Sequence, residues 1–317
     1  MRKHAADGVR TRRRSLLPDL ALPALVLAAF GVAPFLYSNE LMLFNFVMFL
    51  ALAQGLNIVY GFTGYLPFGY VGFYGAGAYG FALAVMHLHA PPLAAMVAGG
   101  GAALLLAVVL LPLLRLSGAY FAIASLAAAQ AVYEVVSNPA LQHITKGPYG
   151  VSLASVFAPR FSYYVGLGVL AGAFALVVWL RNSRFGLALQ AIREDPVSAG
   201  MAGVSVVRGR TIAWLLSALI AGLVGAVFAW HISVFYPDTA FDLGVSIFAT
   251  VFVLFGGATT LTGPLLGVLI LYGVYNAIGI TVPQYFQFIY GTLIVGLVLF
   301  LPNGLVSLLT SRGIRVP

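Results

Sequence analysis

Apolar runs of membrane-spanning length succeed one another along almost the whole chain, and this pattern restricts what the chain can fold into. They lie at about Leu20–Tyr37, Leu41–Tyr60, Leu66–Leu88, Leu93–Leu114, Ala119–Val136, Tyr163–Leu180, Thr211–His231, Leu243–Phe255, Pro264–Ile280 and Tyr285–Leu301. A helix of about 20 residues crosses the ~30 Å of bilayer hydrocarbon, and most runs approach that length. Helices are the expected form, because an unpaired backbone is too costly in lipid. The alternating segments of roughly ten residues that build a membrane barrel are absent. The eighth run is short, which marks a broken or re-entrant helix. The sequence predicts an all-α integral membrane protein, a polytopic helical bundle of about ten (eight to ten) transmembrane helices with broken or re-entrant segments.

Composition agrees. Of 317 residues, 62% are hydrophobic and 8% charged, against about 45–50% and roughly 25% in a soluble domain. That excludes a soluble enzyme, a disordered chain and a nucleic-acid-binding domain. The net charge of +8 needs no acidic ligand, since cytoplasmic loops of membrane proteins are basic. Tracing the crossings puts Arg2, Lys3, Arg10, Arg12, Arg13 and Arg14 on one side with Arg115, Arg181, Arg184, Arg193, Arg208, Arg210, Arg312 and Arg315. Only Lys146 and Arg160 fall opposite, in the long loop at about Ser137–Ser162. Both termini are therefore expected in the cytoplasm. The expected organisation is a basic arm over 1–19, a transmembrane domain over 20–305 with a cytoplasmic loop at 181–210, and a cytoplasmic tail over 306–317. The stretch Thr11–Leu17, with its run of arginines, resembles a twin-arginine export signal. It reads as an uncleaved arm, because the remaining chain is also membrane-embedded.

Few residues can carry chemistry. Cysteine is absent, which removes disulfides, thiolate metal sites and thiol nucleophiles. Of eight acidic residues only Glu134 falls within a span, near its outer end, where it reads as a solvated helix-end carboxylate. Proton coupling normally uses ionisable groups buried near the midplane, and these are lacking. The histidines do not cluster, and no H-E-x-x-H or G-x-S-x-G pattern occurs, so neither a metal nor an enzymatic activity is expected. The two lysines, Lys3 and Lys146, neither follow glycine nor precede Ser or Thr, so the chain has no P-loop. If transport consumes ATP, another subunit hydrolyses it.

The loop 181–210 carries the clearest local signals. Phe185, Leu189 and Ile192 form an apolar stripe at helical spacing. Asp195-Pro196 supplies an N-cap and a proline at the first helical position, and Gly203 can adopt the left-handed stop. Two short helices are expected there, as a docking element. Within the spans, Thr63-Gly64 and Tyr65-Leu66-Pro67 favour an interruption, and Gly256–Pro264 is a second one in the other half. Paired interruptions point to a translocation path. Asn57, Thr63, Tyr65, Tyr70 and Tyr74 are its candidate polar lining from the first half, and Thr250, Thr259, Thr260 and Thr262 from the second.

The segment Arg184-Phe-Gly-Leu-Ala-Leu-Gln-Ala-Ile-Arg-Glu-Asp-Pro-Val-Ser-Ala-Gly-Met-Ala-Gly-Val resembles the coupling loop of ABC importer permeases of the branched-chain amino acid class, LivM type. The glycine-rich stretch Gly55–Tyr79, Gly118–Leu126, Gly256–Gly267 and Leu301-Pro-Asn-Gly-Leu305 resemble further segments of that family, in the expected order. Departures occur at Tyr65, Pro67 and Tyr70, where the family usually carries polar residues such as Gln, Ser and His, at Gln130, where it commonly carries a carboxylate, and at Thr145-Lys-Gly-Pro148. The resemblance implies that Gly186, Arg193, Glu194, Asp195, Pro196, Ala199 and Gly203 form a loop seated on an ATPase subunit. It implies alternating access driven by two cytoplasmic ATPases that bind and hydrolyse the ATP, with no cofactor in this chain. A second, LivH-type permease and an extracytoplasmic solute-binding protein are the other implied partners, at a bacterial inner membrane. Branched-chain or related amino acids are the expected solutes, with urea, short amides or small carboxylates as alternatives. An ATP-independent secondary transporter is the rival reading.

Overall fold

A computed structural model describes residues 16–281, and beyond them 283–285, 288, 291–292, 295–296 and 304–306. Its helices are α1 (Leu16–Leu36), α2 (Glu40–Leu56), α3 (Val71–Leu88), α4 (Pro92–Val109), α5 (Gly118–Ser137), α6 (Pro159–Asn182), α7 (Arg184–Glu194), α8 (Pro196–Met201), α9 (Val206–Ile232), α10 (Leu243–Gly256) and α11 (Thr262–Thr281). Among the described residues, eight helical segments are long and apolar enough to cross a membrane. The apolar part of α1, Leu20–Leu36, is shorter, and the predicted tenth run lies largely outside the described residues. The protein is a multi-pass helical membrane protein.

Local chemistry explains where the helices stop. Asn39 caps α2 by accepting from the Met42 amide at 3.0 Å, and Asp242 caps α10 by accepting from Gly244 at 2.8 Å. The short eighth run is indeed broken: a helical turn at Pro237–Ala240 precedes the Asp242 cap, and the two pieces together reach spanning length. The third run starts later than its apolar residues suggest. Pro67 and Gly69 keep 64–70 out of the helix, and α3 begins at Val71. Likewise α4 ends at Val109 and gives way to a 3₁₀ segment, Leu111–Arg115, with Pro112 at its start.

The most buried helices are α2, α3 and α9. Helix α9 crosses α3 at backbone contact: a Cβ on Gly225 would land on the Tyr74 carbonyl, and one on Gly77 on the Gly222 carbonyl. In lipid, where apolar surface alone does not drive association, such close approach is what holds helices together. Indole donors fix the periphery, Trp214 to the Ala107 carbonyl at 3.0 Å and Trp230 to the Val156 carbonyl at 2.8 Å. At the end opposite α7 and α8, Val151–Ser152 pairs antiparallel with Val234–Phe235, Val151 facing Phe235. This joins the long loop before α6 to the connection after α9.

Candidate functional site

The end of the bundle bearing α7 and α8 gathers the helix interruptions and the basic loop. Helix α2 closes in a π-turn, Asn57–Gly61, directly before the first interruption. Gln54 and Asn57, both fully buried on this helix, reach across to the second interruption between α10 and α11. The Gln54 amide donates to the Leu261 carbonyl at 2.9 Å. Asn57 does two things at once: its Nδ2 donates to the Thr260 carbonyl and its Oδ1 accepts from the Thr259 amide, each at 2.9 Å. A primary amide matches this task, because a non-helical backbone segment presents one donor and one acceptor per residue. The Thr260 hydroxyl donates to the Gly257 carbonyl at 3.0 Å and accepts from the Gly263 amide at 2.9 Å. Thr259 itself has a left-handed backbone, φ 73°.

The first interruption is satisfied differently. Its exit into α3 is held by two hydroxyls, Ser125 accepting from the Gly69 amide at 3.2 Å and Ser246 from the Val71 amide at 2.7 Å. Its entrance is held from the basic loop. The Arg193 guanidinium donates to the Gly61 carbonyl and lies 5.9 Å from the Tyr60 ring centre. The Arg210 guanidinium sits 4.4 Å from the Tyr65 ring centre, within cation–π range.

The loop itself is two helices. Ser183 caps α7 by accepting from the Gly186 amide at 3.0 Å, and α7 buries Gly186, Leu189 and Ile192. Asp195 caps α8 by accepting from the Val197 and Ser198 amides at 2.9 and 3.2 Å and from the Ser198 hydroxyl. These bonds, the hydroxyl's first, hold its carboxyl below the ordinary carboxylate range. Pro196 opens α8, Ala199 is its buried face, and Gly203 ends the turn at φ 85°, where any other residue would be strained. Glu194 and Asp195 are exposed.

Of the residues singled out as path lining, Asn57, Thr259 and Thr260 are brought together. Thr262 and Thr63 are buried, Thr63 donating to the Val59 carbonyl at 2.5 Å. Tyr65 packs edge-on against Phe121. Tyr70 and Tyr74 are buried inside the bundle, their hydroxyls on the Ser217 carbonyl at 3.1 Å and the Met48 sulfur at 3.4 Å. Thr250 lies apart, on α10, at the edge of an open groove. Sequence reasoning passed over Gln54, Ser125, Ser246 and Arg210. Gln54 did carry a signal, as a lone amide in the apolar run Leu41–Tyr60. It also passed over Leu187, Val197 and Met201, three apolar side chains 62%, 69% and 79% exposed on α7 and α8.

Residues 38–298 match the family described as branched-chain amino acid transport system permease component. The chain is similar to the high-affinity branched-chain amino acid transport system permease protein LivM of Salmonella typhimurium and of Escherichia coli. It is 28% identical to each over 299 residues, covering 83% of this chain and 68% of the relative. A shorter likeness, 28% over 145 residues, covers 44% of this chain and 41% of the L-arabinose ABC transporter permease protein AraH of Azospirillum brasilense. No solved structure matches significantly.

Proposed function

This chain belongs to the family of branched-chain amino acid transport system permease components, and from that premise we propose that it is the membrane subunit of an ATP-driven importer for branched-chain or related amino acids. It works beside a second permease of the same family, with two cytoplasmic ATPases and an extracytoplasmic solute-binding protein. The membrane is the bacterial inner membrane, with both termini and α7–α8 on the cytoplasmic side. The distribution of arginines supports that orientation.

The observation that carries the reading is the pair α7–α8. Val197 and Met201, one helical turn apart and exposed, follow the exposed carboxylates of Glu194 and Asp195. A soluble partner covers this apolar patch, which is costly to leave in water. The partner is the ATPase. Of these two helices, α7 is tied inward by Arg193 on the Gly61 carbonyl. Movement of the ATPases then pulls α7, Arg193 transmits the pull to the π-turn, and Asn57 carries it to the second interruption. Rigid helices and single hydrogen bonds transmit such displacements because packed cores are bistable rather than soft. In this reading the chain's part is to re-aim a path for the solute.

The test is assembly followed by transport. The chain co-expressed with the partner subunits should co-purify with an ATPase, and vesicles carrying the complex should accumulate L-leucine only with ATP. Glu194→Ala/Asp195→Ala should weaken both ATPase association and uptake. Uptake by the isolated chain without ATP would overturn the proposal.

A further inference from the structure

Two arginines reach the entrance of the first interruption from opposite ends of the basic loop, and they hold it in different ways. Arg193, near the end of α7, donates to the Gly61 carbonyl, and its Cγ lies 3.4 Å from where a Cβ on Gly64 would stand. Arg210, in the second turn of α9, holds a ring instead: its guanidinium lies 4.4 Å from the centre of Tyr65. Between the two holds Gly64 has a left-handed backbone, φ 77°, a conformation that glycine adopts without steric cost. The entrance is fastened on both sides of a permissive residue. The two fastenings also differ in stiffness. A cation stays attracted over a ring face within about 6 Å of its centre, whereas a hydrogen bond weakens steeply as it bends. Tyr65 can therefore turn beneath Arg210, while Gly61 must travel with Arg193.

Arg210 is poorly satisfied where it stands. Its Nε is buried with no hydrogen-bond partner, and among the described residues no carboxylate pairs with it. A buried cationic donor left unpaired is unfavourable, so packing alone would favour an apolar side chain here; what the cation adds is its hold on the ring face. That ring belongs to a closed set of contacts. Tyr65 meets Phe121 of α5 edge-on at 4.9 Å, and Phe121 meets Trp214 at 5.6 Å. Trp214 stands four residues after Arg210, on the same face of α9. Helix α9 thus touches the Tyr65–Phe121 pair at both ends, by a guanidinium and by an indole. The indole is itself fixed, against Phe73 at 4.8 Å and on the Ala107 carbonyl. One turn beyond Phe121, Ser125 accepts from the Gly69 amide, so the same stretch of α5 engages both Tyr65 and Gly69.

We infer that Arg210 is a positioning residue of the transport cycle: through Tyr65 it holds the chain beyond Gly64 on α9, so that a pull on Gly61 by Arg193 turns the entrance about Gly64 instead of dragging the whole stretch. The inference rests on the permease reading and adds a fixed pivot to it.

In the reconstituted transporter Arg210→Gln should lower L-leucine transported per ATP hydrolysed about fivefold, the worth of a partly desolvated cation–π contact, while hydrolysis stimulated by the binding protein continues. Tyr65→Leu should do the same. Tyr65→Phe keeps a ring face and Arg210→Lys keeps a cation, and each should recover most of the ratio. The double variant Arg210→Gln/Tyr65→Leu should be no worse than either single one, because both remove one shared contact. An undiminished ratio in Arg210→Gln, a Tyr65→Phe as poor as Tyr65→Leu, or a double variant whose losses multiply overturns the pivot. The grip can also be read without transport. In the purified full-length chain, hydrogen exchange at the Gly69 amide should quicken in Arg210→Gln and in Tyr65→Leu but not in Tyr65→Phe, and equal exchange in all of them overturns it. A wild-type complex without ATP-driven L-leucine uptake defeats the permease reading instead, and the exchange pattern still decides the grip.

Discussion

The two interruptions lie against each other at the same end of the bundle but are built on opposite plans. The first, following the π-turn of α2, is held at separate points by three different helices: Arg193 from α7, Ser125 from α5 and Ser246 from α10. The second, 257–261, is hydrogen-bonded to the neighbouring α2 through Gln54 and Asn57 and within itself through Thr260, and packs at Gly257 against Gly304 and Val306. A segment restrained from several helices registers their relative motion. A segment whose hydrogen bonds to side chains of other elements come from α2 follows α2. The comparison therefore assigns reception to the first interruption and following to the second.

The largest expected effect falls on the follower. Asn57→Leu strands the Thr260 carbonyl and the Thr259 amide, each unfavourable by about 1–3 kcal/mol when buried. The purified protein in detergent should lose several degrees of thermal midpoint; an unchanged midpoint would show that the second interruption is not strapped to α2. Next comes Ser246→Ala, which leaves the Val71 amide unpaired at about 1–3 kcal/mol but touches only the first interruption. Its mark should be faster hydrogen exchange at Val71 with no change at Thr259, and exchange rising equally at both would erase the distinction. Gln54→Leu should destabilise by about 1 kcal/mol, less than Asn57→Leu, because it breaks one bond and also removes a buried oxygen that has no partner. A loss as large as that of Asn57→Leu would move the strap from Asn57 to Gln54.

The smallest effect concerns pH. The Asp195 carboxyl is depressed by its bonds to Ser198 and Val197, so its cap stabilises α8 above the unfolded-state value near ~4 and is lost as pH falls through the lower folded-state value. Exchange at the Val197 and Ser198 amides should rise only below about pH 4, while Val71 stays protected. In Asp195→Asn that acid dependence should vanish, and its persistence would assign the cap elsewhere.

Much of this was legible in the chain. The stripe Phe185, Leu189, Ile192 and the Asp195-Pro196 cap announce α7 and α8, because helix period and cap chemistry are local. Breaks near Thr63–Pro67 and at Gly256–Pro264 are announced by glycine and proline for the same reason. What closes each break was not legible. Asn57 and Thr260 are far apart in sequence, and nothing nearby in either segment says which amide meets which carbonyl. The tyrosines show the same limit. Tyr70 and Tyr74 are polar tips on large apolar bodies, and only the packing of α3 on α9 and α2 decides that their hydroxyls end on Ser217 and Met48. Glu134 stood out as the sole carboxylate in a span, whereas the groove beside Thr250 exists only once α5 and α10 are side by side.

The most direct test of the account is the number of solute molecules moved per ATP hydrolysed by the reconstituted transporter carrying Arg193→Gln. If Arg193 is the tie between α7 and the π-turn, hydrolysis should continue while L-leucine transported per ATP falls about tenfold, as expected for loss of one charge-assisted hydrogen bond. An unchanged ratio would contradict the account.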